Sequence, residues 1–243
     1  MKRVEIKKWG AHGLLLQWPA KISLGIHREV MQTVDFVNSQ FPEAVRELVP
    51  TYHELAIYCN PEINLDSFRK KLVEEVMTLP KAEKSGSSLR LFTLPVCYAE
   101  THGPDMKGVA AALNISVSQL IAHHTAPSYW VYGLGFLPGF PYLGGLPDVL
   151  SLPRKETPSA IVAPGSVGIG GQQTGIYPSE SPGGWHIIGN CPIPLFNAVS
   201  TPPALLQAGD RVRFNAVSSE EWQEITTAIE ENTFHFETLF HHG

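Results

Sequence analysis

Hydrophobic and polar positions in the first eighty residues alternate between two periods. Leu14 to Gln17 form a short apolar run that predicts a strand. Ile26, Val30, Val34, Val37 and Phe41 then recur every three or four residues, which places them on one face of a helix. Ala44 to Val49 and Leu55 to Cys59 predict two strands around the turn Pro50-Thr51-Tyr52. After Asn64, the residues Leu65, Phe68, Leu72, Val76 and Leu79 mark the inner face of a second helix. The order β-α-β-β-α, with room for a last strand, is that of a ferredoxin-like α/β domain whose helices cover one face of an antiparallel sheet. The polar run KAEKSGSS, 81–88, has no period and reads as a linker. The first domain with its linker is therefore residues 1–88.

The second domain, 89–243, opens with a strand over Leu89 to Val96. Met106, Val109, Ala110 and Leu113 predict a helix, and Ser116 with Gln119 forms a capping box that starts another. The pair resembles a helix-turn-helix. Its second helix, however, carries no arginine or lysine, which argues against reading a DNA groove. Tyr129 to Gly135 predicts a strand. The turn Ala208-Gly209-Asp210 precedes another at Arg211 to Phe214, and Ser219 opens a helix with acidic residues near its N-terminus. The histidines of the tail TFHFETLFHHG are too few and too close to the end to support a reading.

Between Gly133 and Cys191 the pattern changes. Glycines, prolines and aromatic residues interleave, and charges are few. A disordered linker lacks aromatic and β-branched residues, so this stretch is folded, as short strands joined by tight turns in a closed barrel or sandwich. The glycine density suggests a concave surface built partly of main chain. The fold class is thus α+β.

Composition adds exclusions. An apolar share of 43% is ordinary for a globular chain, and a net charge of −5 gives no reason to expect nucleic acid or an anionic membrane. No apolar run is long enough to span a bilayer, and the start MKRVEIKKWG lacks the apolar core of a signal peptide. Cys59, Cys97 and Cys191 are far apart and have no zinc or redox spacing. These features together fit a reducing cytoplasm. His123 and His124 are adjacent, about 100° apart on a helix, and cannot easily grip one ion, so no metal site is expected.

The runs GFLPGFPYLGGLP, PGSVGIGGQQTGIYP and SPGGWHIIG, followed by PALLQAGDRVRF, resemble the allophanate hydrolase subunit 1 family, also called the KipI family. The resemblance extends over roughly the whole chain to Phe214. The family includes the B subunit of bacterial ATP-dependent 5-oxoprolinase (PxpB), the sporulation-kinase inhibitor KipI and a segment of urea amidolyase. It implies a cyclophilin-like β-barrel for the second domain. By resemblance, His124 faces the barrel pocket, where it would hydrogen-bond a substrate or shuttle a proton. The residue alone reads equally well as a structural histidine at a helix end. Gln173 and Thr174 lie in the QTG triplet of the family, and an amide side chain suits a neutral amide or lactam ligand.

His124 and Gln173 are accordingly the catalytic candidates. Thr174, Ser166, Phe136, Phe140, Tyr142 and Tyr177 are the substrate-binding candidates, the rings forming an apolar wall. Main-chain N–H groups from Gly165 to Gly171 are expected to stabilise an oxyanion. The sequence also departs from the family pattern. Ser159 and Ile161 stand where much of the family carries further arginines, although Arg154 is present. This weakens the case for anion binding at that loop.

The activity implied first is a hydrolase subunit in the ATP-dependent opening of 5-oxoproline to glutamate. Its partners would be 5-oxoprolinase subunits C and A, and the chain would be inactive without them. The chain has no GxxxxGK[ST] phosphate loop, and Gln173 stands where the dinucleotide fingerprint needs a glycine. This chain is therefore expected to bind no cofactor, with ATP used by the complex. The alternative is a KipI-type inhibitor of a sensor histidine kinase, acting through an exposed apolar patch. A subunit of an allophanate- or urea-degrading system is a third option.

Overall fold

A computed structural model describes residues 4–80 and 90–242. The chain divides into two compact units, Met1–Ser87 and Ser88–Gly243. The expected linker, 81–88, lies outside the described residues.

In the first unit β1 (Glu5–Lys8) and β2 (Gly13–Gln17) form a hairpin, followed by α1 (Leu24–Gln40), β3 (Val45–Pro50), β4 (Glu54–Cys59) and α2 (Leu65–Val76). The sheet order is β1-β2-β4-β3, antiparallel throughout. Each helix starts where its cap is. The Ser23 hydroxyl accepts from the Ile26 amide and Asn64 Oδ1 from the Ser67 amide, satisfying donors the first turn leaves unpaired. Val30, Val34 and Val37 of α1 and Phe68, Leu72 and Val76 of α2 close over Leu14, Leu16, Leu55 and Ile57. The fourth strand precedes the expected set instead of following it. In β1 only Ile6 turns inward, between Glu5, Lys7 and Lys8, so the strand has almost no periodic signal. It is held by pairing with β2, and its lysines suit a sheet edge.

The second unit runs β5 (Arg90–Cys97), α3 (Met106–Ala112), α4 (Val117–Thr125), β6 (Ser128–Leu134), β7 (Pro141–Gly144), β8 (Ser159–Val162), β9 (Ser166–Gly170) and β10 (Gln173–Ile176). It continues with β11 (Ser181–Gly183), β12 (His186–Asn190), β13 (Arg211–Val217), α5 (Ser219–Glu230) and β14 (Phe240–His242). Seven strands close a barrel in the order β12-β9-β10-β7-β6-β13-β5, with β5 returning to β12 at Cys97 and Asn190. The β5–β13 pair is parallel and the other pairs are antiparallel. The short β8–β11 ribbon stands apart.

Inside the barrel lie Leu94, Tyr129, Leu143, Ile169, Ile176, Ile188 and Phe214. The capping box at Ser116 and Gln119 is present, and α4 lays Leu120 and His124 into this core instead of offering them to a groove. The tail, which supported no reading in the sequence, has a structural role. β5 gives one edge to β13, while the other edge meets β12 only at Cys97. β14 covers the start of that edge, from Arg90 to Phe92, pairing Phe240 with Phe92 so that the two rings lie tilted against each other at 5.5 Å. An open stretch of edge is thereby covered.

Candidate ligand-binding site

The sequence-predicted residues fall on two sides of one barrel wall. Thr174 points inward from β10, and its neighbours on that strand alternate in and out. His124 is fully buried against it. Thr174 Oγ1 donates to the Gly168 carbonyl at 2.9 Å, so it must accept from His124 Nε2 at 3.0 Å. That assignment leaves Nδ1 bare, to accept from the Tyr98 hydroxyl at 2.7 Å. The imidazole stacks on Phe214 with ring centroids 4.7 Å apart. Burial lowers its pKa to about 3, so the ring is neutral. All its polar atoms are used, and it is not among the residues that line the aromatic cavity described below. The expectation that His124 faces a pocket is therefore replaced by a place in the barrel core, because α4 packs its inner face onto the barrel.

The outward face of the same strands carries the aromatic residues. Phe140, Val162, Tyr177, Trp185 and Ile187 form a separate buried cluster outside the barrel core. Phe140 meets Tyr177 edge-on at 5.2 Å, Trp185 at 5.5 Å and Tyr142 at 5.1 Å. Much of the glycine density has its cause here. A Cβ at Gly170 would sit 2.8 Å from Trp185 Cδ1, and one at Gly175 would sit 3.0 Å from both Trp185 Cζ3 and Phe140 Cζ. Only bare backbone lets the rings lie this close to the wall.

A cavity of about 260 Å³ opens over this cluster. Phe136, Phe140, Tyr142 and Tyr177 line it, together with Arg154, Pro158, Pro182 and Trp185. Phe136 stands at the mouth, 62% exposed, with φ of +69°. Its ring is edge-on to Phe140 at 5.6 Å. Burial raises the Tyr177 pKa, against a Trp185 main-chain hydrogen bond and the Arg154 charge.

Gln173, Ser166, Thr174 and His124 are not among the lining residues. Gln173 shares the outer face with Gly175 and pairs with Gly170 and Gly144. Ser166 is buried at the start of β9, opposite Asn190. The oxyanion role expected of Gly165 to Gly171 is not available. The Gly165, Ser166 and Gly171 amides donate to Tyr177, Ala163 and Leu152 carbonyls, and β9 is laddered on both sides. These glycines make room for rings, and Gly171, at φ +63°, turns the β9–β10 hairpin.

The sequence reading left Arg154 outside the site because its companions were missing. It is the only ionic side chain among the lining residues, 5.8 Å from the centre of the Trp185 ring. Its signal in the sequence is position: Arg154 and Lys155 are the only cations between Gly133 and Cys191. The structure separates the two. Lys155 Nζ is 2.6 Å from Asp105 Oδ2, an oxygen that also accepts from the Ile187 amide. Among the described residues no cluster of histidine, cysteine and carboxylate side chains could hold a metal ion.

The second unit is thus a closed barrel whose outer wall carries a small aromatic cavity with one guanidinium at its edge. The chain belongs to the carboxyltransferase domain family, subdomains C and D, whose model matches residues 4–206. This match and the motif resemblance agree. The chain is 35% identical over 231 residues to the 5-oxoprolinase B subunit of Bacillus subtilis, covering 90% of this chain and 95% of that one. It is 36% identical to the 5-oxoprolinase B subunit of Escherichia coli O157:H7, over 88% and 96% of the two chains. Among solved structures, that of TTHA0988 matches with TM-score 0.73 at 33% identity, covering 85% of this chain but 40% of the other. This chain thus spans about two-fifths of that one's length. The urea carboxylase of Kluyveromyces lactis, 19% identical with TM-score 0.73 over 95% of this chain and 23% of that one, shares the fold.

Proposed function

We propose that this chain is the B subunit of an ATP-dependent 5-oxoprolinase, working with the A and C subunits. The observation that carries the reading is near end-to-end similarity to 5-oxoprolinase B subunits, at 35% identity over 95% of the Bacillus subtilis chain. In architectural terms, we read the first unit as ferredoxin-like with its edge strand moved to the N-terminus, and the barrel as cyclophilin-like.

A five-membered lactam is a stable amide and a poor electrophile, so coupling its opening to ATP makes chemical sense. Phosphorylation of the amide oxygen activates the carbonyl carbon. Water adds, the C–N bond breaks with the nitrogen taking a proton, and a second water releases phosphate from the acyl phosphate. The products are glutamate, ADP and phosphate. The chain has no phosphate-loop motif, so ATP is held by another subunit in this reading. This chain supplies the aromatic cavity for the lactam. His124 and Thr174 serve it from the far side of the wall by fixing β9 against β10. Half a site does not exclude water, and the isolated chain is expected to be inactive. The complex is placed in the cytoplasm. No helix among the described residues is long and apolar enough to cross a membrane.

The test is oxoproline-dependent ATP hydrolysis by this chain alone and by its complex with the A and C subunits. Turnover in the full mixture only is the expected result. A well-formed complex with no turnover sinks the reading and favours inhibition of a histidine kinase, measured by autophosphorylation. Turnover by this chain alone would place the phosphate site here.

A further inference from the structure

The guanidinium of Arg154 is the one charge presented to an otherwise aromatic cavity, and the structure spends several contacts on holding its backbone. We propose that Arg154 recognises a carboxylate, so that the cavity selects small cyclic amides bearing an acid group over the same rings without one. The inference rests on the oxoprolinase reading for the identity of the ring, while the choice of acid over amide rests on the cavity itself.

The volume, about 260 Å³, falls just under the roughly 300–1,000 Å³ typical of sites for drug-sized ligands, so the occupant is small. Phe140, Tyr177 and Trp185, packed edge to face on one another, form its floor, and Phe136 stands exposed at its mouth, an aromatic surround suited to a flat ring. No aspartate or glutamate lines the cavity, and among the described residues Arg154 has no carboxylate partner. Lys155 does not compete for the ligand. Its ammonium is held by Asp105 at 2.6 Å and donates to Ser159 Oγ at 3.1 Å.

The chain on either side of Arg154 is fastened. His186 Nε2 donates to the Pro153 carbonyl at 2.9 Å, and the Lys155 amide donates to the Gly184 carbonyl at 2.8 Å. Arg154 is therefore offered from a fixed backbone beside Trp185. A guanidinium fork matches a carboxylate with two parallel hydrogen bonds, which a point charge does not reproduce. The acid group of 5-oxoproline, one carbon from its ring nitrogen, would meet the fork while the lactam lies among the rings.

The experiment follows the Trp185 indole signal of fluorotryptophan-labelled chain by NMR, assigned with Trp185→Phe. It is run on the full chain alone and in complex with the A and C subunits. The probes are 5-oxoproline and its carboxamide. The acid should bind roughly tenfold or more tightly than the amide, the scale of a charge-assisted hydrogen bond. Arg154→Gln should remove that preference with an unchanged melting temperature, and Arg154→Lys should restore part of it. Equal binding of acid and amide, a preference that survives Arg154→Gln, or no response of Trp185 to either probe would each overturn the proposal. The two readings fail separately. Binding without turnover removes the oxoprolinase assignment and leaves the carboxylate site. Turnover indifferent to Arg154 does the reverse.

Discussion

His124 Nε2 lies 3.0 Å from Thr174 Oγ1 inside the barrel, and the next residue on that strand, Gly175, carries Trp185 on the outside. The two sides of the wall are coupled through one strand. The hydrogen-bond chain Tyr98, His124, Thr174 and the Gly168 carbonyl sets the position of β9 and β10, and those strands are the floor on which the rings lie.

This arrangement fixes a pH dependence. Burial lowers the pKa of His124 from its ordinary value of 6.5 to about 3, so the folded chain keeps it neutral while the unfolded chain protonates it below 6.5. Its contribution is whole above that value. It falls by about 1.4 kcal/mol per pH unit as pH drops toward 3. Urea unfolding between pH 8 and pH 4 should show the loss. His124→Asn should be less stable by roughly 2–4 kcal/mol at pH 8 and should show a flatter slope below pH 6.5. Identical slopes would remove His124 as the source.

The floor makes no allowance for a methyl group. Gly170→Ala places a carbon 2.8 Å from the Trp185 ring and should cost about 1–3 kcal/mol while displacing that ring. Gly108→Ala, on the exposed face of α3 with nothing within 4 Å, should instead stabilise by about 0.5–1 kcal/mol. Thermal melts of the two variants read the contrast directly. A neutral Gly170→Ala would mean that the rings are not seated as described.

Phe136 combines exposure with a left-handed backbone, a conformation bulky residues avoid. Strain of this kind is retained where a ligand uses it. Phe136→Gly should raise stability by about 1 kcal/mol and weaken binding of 5-oxoproline to the complex. A variant that binds as well as the parent would make the ring an ornament of the loop.

Cys59, Cys97 and Cys191 are all buried and free, and burial pushes the Cys191 thiol up to about 12. A thiol-specific reagent at pH 8 should label none of them quickly in the folded chain and all three in denaturant. Fast labelling of the native chain at any of them would contradict the packing.

The sequence by itself determined most of the elements. Helices α1, α2 and α4 were legible because their apolar residues repeat at helical spacing and their caps, Ser116 with Gln119 for α4, are local chemistry. The aromatic wall was legible as residue types, and Phe136, Phe140, Tyr142 and Tyr177 do meet in one cavity. Strand β1 was not legible, because a charged edge strand with one inward residue is defined by its partner. The tail was not legible either, since the edge of β5 that it covers exists only once the barrel has closed. Above all, sequence spacing does not say which side of a wall a residue faces. His124 and Thr174 turn into the core, Phe140 and Trp185 lie outside it, and the separation follows from strand alternation and barrel closure. Arg154 gained its place at the cavity in the same way, when tertiary contacts from Asp105, Gly184 and His186 fastened its loop beside Trp185.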